Sequence, residues 1–195
     1  MNQAGCRPLT DSEVTTLLSG FQGRYALRDQ ALVVLGVHTG YRVGELLSLR
    51  IADVWSGTEV RSSVTVARRW MKGGKRGRTV PLHERAKTAL QAWILASGMD
   101  TDSFWDWPLF PCQHKCHPIS RQHARRILVL AAEAAGVDSD RLATHTLRKT
   151  FARRLWDSPT VGKDPARMAR LLGHTNWSNT LRYLEFTDLD AAVLA

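Results

Sequence analysis

The chain's 195 residues suffice for one domain with a sizeable core, and a composition of 44% hydrophobic and 23% charged residues excludes wholesale disorder and fibrous repeats. No apolar run nears the ~20 residues that cross a bilayer, and the first residues lack the basic-then-apolar pattern of an export signal. Twenty-seven basic against eighteen acidic side chains leave a net charge of +9, concentrated in blocks at residues 61–87, 111–126 and 141–154.

In chain order, Thr10-Asp11-Ser12-Glu13 forms a capping box that starts a helix near Asp11, with its end near Gly20. Residues 28–37 are apolar enough for a core helix, stopped near Gly40. Residues 42–49 predict a third helix with Leu46, Leu47 and Leu49 turned inward. The period then changes: 63–67 alternates as a strand does, and 78–82 reads as a second short strand. The glycine-rich basic turn 72–77 joins them into a hairpin. Pro81 ends the second strand or places it at an edge. A helix over 84–96 stops at Gly98, and 99–119, with three prolines, is irregular. Ser120 caps a helix to about Ala135, stopped by Gly136. Further helices are predicted over 144–156, from Pro165 to Gly173, and from Asn176 or Ser178 to Tyr183. No repeat or linker divides the chain. The expected fold class is mainly α with a small antiparallel β-sheet (α+β), in a single domain over 1–195 with a short tail at 188–195.

A fold that joins the three basic blocks creates a polyanion-binding face. Three cysteines cannot all pair with one another, and with no export signal a reducing cytoplasmic compartment is expected.

Several residues could carry chemistry. His145 and Arg148 lie three apart on a predicted helix and share a face; an imidazole beside a guanidinium fork suits a phosphate. Arg42 opens a helix after a glycine turn, where anions are favoured, and Glu45 one turn on can orient it by an ion pair; the plain alternative is a surface pair worth little. Gly173 ends a helix and leaves His174 on a turn, from which a short helix leads to Tyr183. Lys72 sits on the hairpin rim, able to donate a proton to a leaving oxygen or simply to touch phosphate. Two arginines, two histidines, a lysine and a tyrosine together make a set for phosphoryl transfer. The cations would stabilise the phosphorane, a tyrosine oxygen could serve as the nucleophile, and no metal is then required. Neither a magnesium-holding carboxylate cluster nor a Ser/His/Asp set is visible. The cluster Cys112, His114, Cys116 and His117 has zinc-ligand residue types, but four in six residues crowd a tetrahedron, so no metal or other cofactor is expected.

Four ordered segments, TGYRVGELLSL (39–49), KGGKRGRTVPL (72–82), HTLRKTFA (145–152) and LLGHTNWSNTLRY (171–183), resemble the tyrosine recombinases, also called phage-type integrases. The resemblance spans roughly residues 8–187 and implies the tyrosine-recombinase catalytic-domain fold. It also implies that Arg42 and Arg148 clamp the scissile phosphate, that His145 and His174 bond its non-bridging oxygens and assist proton transfer, that Lys72 protonates the departing 5′ oxygen (Lys75 being the rival), and that Tyr183 attacks. Glu45 would support the site. Together with the basic blocks it points to DNA contacts at Arg68, Arg69, Lys75, Arg76, Arg78, Arg121, Arg125 and Lys149.

The implied activity is site-specific recombination through a covalent 3′-phosphotyrosine, for integration, excision or inversion of a DNA element. The implied partner is double-stranded DNA, bound by a homotetramer on two sites that is a monomer when free, with an accessory DNA-bending protein possible and no membrane. The location is cytoplasmic, at the nucleoid. Relaxation of the type IB topoisomerase kind and a non-catalytic DNA-binding regulator are the alternatives. Family members usually carry a further N-terminal helical domain, and none is expected within this sequence, which is then an excised catalytic domain or a minimal recombinase. Trp70, Trp93, Trp105, Trp107, Trp156 and Trp177 read as core or edge packing, with Trp70 beside Lys72 the exception to watch.

Overall fold

A computed structural model of the chain describes residues 5–71, 77–113, 116–159, 161 and 163–173. Helix α1 (Asp11–Ser19) starts at the anticipated capping box. The Thr10 hydroxyl accepts from Glu13 N at 3.2 Å, and the Glu13 carboxylate accepts from Thr10 N at 2.8 Å. Helix α2 (Ala26–Thr39) is buried at every position from Ala31 through Val37. A helix apolar all round needs neighbours all round, and α2 packs chiefly against α5 (Glu84–Ser97) and α7 (Thr144–Asp157). Gly36 sets the α2–α7 approach, since a Cβ there would stand 2.7 Å from Leu147 Cδ1. Gly40 closes α2 with φ of 61°, the left-handed conformation glycine accepts without strain.

The helix expected over 42–49 is shorter, α3 (Val43–Leu46), and a second short helix that was not anticipated, α4 (Ile51–Val54), follows beyond its expected end. The cause is local. Glu45 accepts from Arg42 N and Asp53 accepts from Arg50 N, each at 2.8 Å, so the chain stops and restarts around two carboxylates. Leu46, Leu47 and Leu49 are buried as anticipated.

Strands β1 (Ser63–Val66) and β2 (Arg78–Pro81) pair antiparallel, with Ser63 opposite Pro81, Val64 opposite Val80, Thr65 opposite Thr79 and Val66 opposite Arg78. Val64 and Val66 enter the core, while the Thr65 and Thr79 hydroxyls bond across the outer face at 2.8 Å. Pro81 is tolerated because it closes a strand of a two-stranded sheet.

The 99–119 segment has one 3-10 turn (Asp102–Phe104) and is stitched to the core by backbone bonds: Ile51 N to Trp107 O at 3.0 Å, and Leu109 N to Leu49 O at 2.9 Å. Trp93 is buried with Nε1 on Leu109 O at 2.8 Å, whereas Trp70 is 52% exposed. Cys112 N bonds His117 O, and Cys112 packs half-buried against the core; His114 lies outside the described residues. Ser120 caps α6 (Arg121–Ala134), its hydroxyl accepting from His123 N at 3.0 Å.

Helix α8 (Pro165–Leu172), capped by Asp164 and closed by Gly173, packs on α7 through a second small core of Ala152, Val161, Met168 and Leu172. The helix expected up to Tyr183 and the tail 188–195 lie outside the described residues. Among the described residues no helix is long and apolar enough to cross a membrane.

Candidate active site

The site is built where α2 ends, α3 begins and α7 presents its first turns. The sharp Gly40 turn brings Tyr41 into the core, wholly buried, and leaves Arg42 at the N-cap of α3, its side chain 29% exposed. The Arg42 Nη1 donates to Glu45 Oε1 at 2.9 Å while the other Glu45 oxygen holds Arg42 N. Glu45 itself is buried. The ion pair read from the sequence therefore exists, but it is no surface pair. A buried carboxylate satisfied on both oxygens fixes the guanidinium from behind.

Arg148, on α7, is 1% exposed. Its Nη1 donates to Gly40 O at 2.7 Å and its Nη2 to Leu172 O at 2.6 Å, so α7 is tied to the C-terminal ends of both α2 and α8. A guanidinium carries five N–H donors in a rigid fork, and Arg148 gives one to each of these two carbonyls. His145, one turn earlier, is exposed at the surface. Partial burial of its ring, then the charges of Arg148, Arg42 and Lys149, pull its pKa below the ordinary imidazole value. Burial and the three neighbouring cations all disfavour its protonated form. The same crowding marks a place suited to a dianion or monoanion.

The described structure thus brings Arg42, Glu45, His145 and Arg148 together. Lys72, His174 and Tyr183 lie outside the described residues, as do Lys75 and Arg76. The residues just before two of them do meet: a Cβ built on Gly173 would lie 3.7 Å from Met71 Cε.

The residues expected to touch DNA divide. Arg68, Arg69, Arg121 and Arg125 are exposed. Arg69 lies over the Trp70 ring at 5.9 Å, and the Arg121 guanidinium covers Gly44, beside Arg42, at a distance of 2.7 Å from a Cβ built there. Arg78 and Lys149 are only part-exposed and bond protein carbonyls, Arg78 those of Leu171 and Thr39 and Lys149 that of Cys6. Tyr41 escaped the sequence reading altogether. Its hydroxyl donates toward Val64 O at 3.0 Å and Arg78 O at 2.5 Å, and burial pushes its pKa up to about 12. It serves as a buried donor and cannot be the nucleophile. The signal was its place inside the TGYR segment, between the glycine turn and Arg42.

A mainly helical domain with one hairpin, and two arginines and a histidine converging beside it, defines the tyrosine-recombinase catalytic domain. Solved structures share this architecture. XerA recombinase superposes with a TM-score of 0.71 at 25% identity, over 100% of this chain and 63% of that one. The Tn1549 transposon integrase, at 19% identity, shares the fold with a TM-score of 0.71 over 99% of this chain and 67% of its own.

The chain belongs to the phage integrase family, whose sequence model matches residues 7–189. Among curated relatives, the tyrosine recombinase XerD of Corynebacterium glutamicum is 34% identical over 161 residues, covering 83% of this chain and 49% of that protein. XerD of Halalkalibacterium halodurans is 30% identical over 183 residues, covering 93% of this chain and 58% of its own length. The chain therefore spans about half the length of these relatives.

Proposed function

We propose that the chain breaks and rejoins DNA strands at specific sites through a covalent 3′-phosphotyrosine. The observation that carries this reading is the convergence of Arg42, held by a buried carboxylate, with Arg148 and His145. In the proposed reaction the Tyr183 oxygen attacks the scissile phosphorus and its phenolic proton passes to His145 or His174. The bond from phosphorus to the 5′ oxygen breaks, and Lys72 gives that oxygen a proton. Arg42 and Arg148 offset the charge that builds on the non-bridging oxygens. The phosphotyrosyl bond keeps the energy of the broken one, so attack by a new 5′ hydroxyl reverses the step without a nucleotide cofactor.

Arg68, Arg69, Arg121 and Arg125, all exposed, would contact the DNA backbone, with Lys75 and Arg76 of the hairpin turn. Membership in the phage integrase family and 34% identity to a XerD support the recombinase reading on which these contacts rest. Recombination of two sites by four copies, monomeric when free, and help from an accessory DNA-bending protein at the nucleoid complete the proposal.

The test is covalent trapping. Nicked duplexes made from the junctions flanking the chain's own gene are incubated with the protein and resolved on a denaturing gel. A shifted band that Tyr183→Phe abolishes is the expected result, and supplying two sites then yields recombinants rather than relaxed circles. DNA binding without any covalent band would overturn the enzyme in favour of a regulator.

A further inference from the structure

By sequence Arg78 is one more cation in a basic block, but in the fold its guanidinium is engaged inside the protein. Its Nη1 donates to Leu171 O and its Nη2 to Thr39 O, each at 2.8 Å. Arg148 repeats the pattern one residue along, with Nη1 on Gly40 O at 2.7 Å and Nη2 on Leu172 O at 2.6 Å. Two arginines from different elements therefore bridge the same two chain ends, the close of α2 and the close of α8. Carbonyls at a helix C-terminus lack intrahelical partners and carry partial negative charge, so each bridge both satisfies them and holds them together.

Arg78 is itself held. Its guanidinium lies 4.3 Å from the centre of the Tyr41 ring, and the Tyr41 hydroxyl donates to its backbone carbonyl. Tyr41 immediately precedes Arg42. Gly173, where the chain leaves α8, lies against the same side chain, since a Cβ there would stand 3.3 Å from Arg78 Cδ and 3.7 Å from Met71 Cε. Hairpin base, Gly40–Arg42 turn and α8 end thus meet on one arginine.

We propose that Arg78 is a positioning residue for strand cleavage rather than a DNA contact, pinning the end of α8 and the hairpin base to the turn that carries Arg42. The inference rests on the reading of Arg42, His145 and Arg148 as the phosphate site. Lysine cannot replace it, because one ammonium does not span two carbonyls on separate elements while lying flat on a ring.

The test compares the full chain with Arg78→Lys and Tyr41→Phe, using the nicked duplex above. Arg78→Lys is expected to bind that DNA within about twofold of the wild-type chain and with an unchanged salt slope, because no phosphate contact is lost. Its single-turnover covalent step falls roughly a hundredfold, as expected for a misplaced reacting group. Amide hydrogen exchange at 166–173 accelerates. Tyr41→Phe, which keeps the ring and removes only the hydroxyl, loses roughly tenfold in the same step and shows the same exchange change to a smaller degree; it serves as the folded comparison if Arg78→Lys does not fold.

A phosphate contact at Arg78 predicts the opposite: Arg78→Lys cleaves normally, and Arg78→Gln loses affinity with a salt slope shallower by about 0.9. That result would overturn the inference, as would unchanged exchange at 166–173 in both variants. The exchange arm needs no DNA. Failure of the wild-type chain to form any covalent complex therefore counts against the function, while exchange still decides whether Arg78 holds α8.

Discussion

The arginines of this chain occupy two regions that composition cannot tell apart. Around the α2–α3 turn, Arg42, Arg78 and Arg148 each end on a carboxylate or a pair of main-chain carbonyls. On the turn after β1 and on the first turns of α6, Arg68, Arg69, Arg121 and Arg125 are exposed and make no ion pair among the described residues. The first group is wired into the protein, so each charge has geometry. The second group offers exposed charge without ion-pair partners among the described residues, which suits a polymer of phosphates whose sequence is read elsewhere. A net charge of +9 is therefore the sum of two different devices.

The contrast is most exposed to failure at Arg42. Arg42→Ala strands the buried Glu45 carboxylate, and loss of one member of such a pair costs about 3 kcal/mol or more. For a chain of this size that lowers the thermal midpoint by roughly 10 °C. A midpoint within about 2 °C of the wild-type value would place Arg42 with the exposed group instead.

A smaller effect is expected from acid. His38, stacked on His83 with ring centroids 4.4 Å apart, is held neutral: burial first, then the charges of Arg154, His83 and Arg85, push its pKa down to about 4 from an ordinary 6.5. The unfolded chain therefore takes the proton first. Stability present at pH 7 is lost as pH falls from 6.5 to about 4. His145, shifted in the same direction, adds to the loss. Chemical denaturation across that window should show a decline of about 1–2 kcal/mol from His38, reduced from the full shift because the ring is only part-buried. His38→Gln should flatten the decline, and an undiminished slope in that variant would assign it to other groups.

The smallest effect on stability belongs to the exposed arginines. Changing Arg68, Arg69, Arg121 and Arg125 to Gln, singly, should move stability by less than about 0.5 kcal/mol. The salt dependence of DNA binding, plotted as log affinity against log salt, should become shallower by about 0.9 for each residue that meets a phosphate. A destabilisation near that of Arg42→Ala would erase the distinction between the two regions.

How much of this was legible beforehand depended on how local the cause is. Thr10, Gly40, Gly98, Ser120 and Gly173 act within a few residues, and each marks the helix end it was read to mark. Arg42 and Glu45 are three apart, so their pairing was visible, while the burial that gives it weight was not. The start of α4 was also local, with Asp53 three residues after Arg50, but the apolar run of Leu46, Leu47 and Leu49 carried the expected helix past the end of α3. Arg78 was opaque for a different reason. Its acceptors lie 39 and 93 residues away in sequence, and a cation in a basic block looks the same whether it faces water or a helix end. Lys149, bonded to Cys6 O across 143 residues, was hidden in the same way.

The all-round burial of α2 also bears on how the chain is made. Its partners α5 and α7 follow it, and α7 begins about a hundred residues after α2 ends. At a synthesis rate of about 5–20 residues per second, the surface around Gly36 that finally receives Leu147 waits roughly 5–20 s on the ribosome before its cover is translated. During that interval α5, translated earlier, can cover one flank of α2, but the flank around Gly36 stays without its cover until the segment bearing His145 and Arg148 is made.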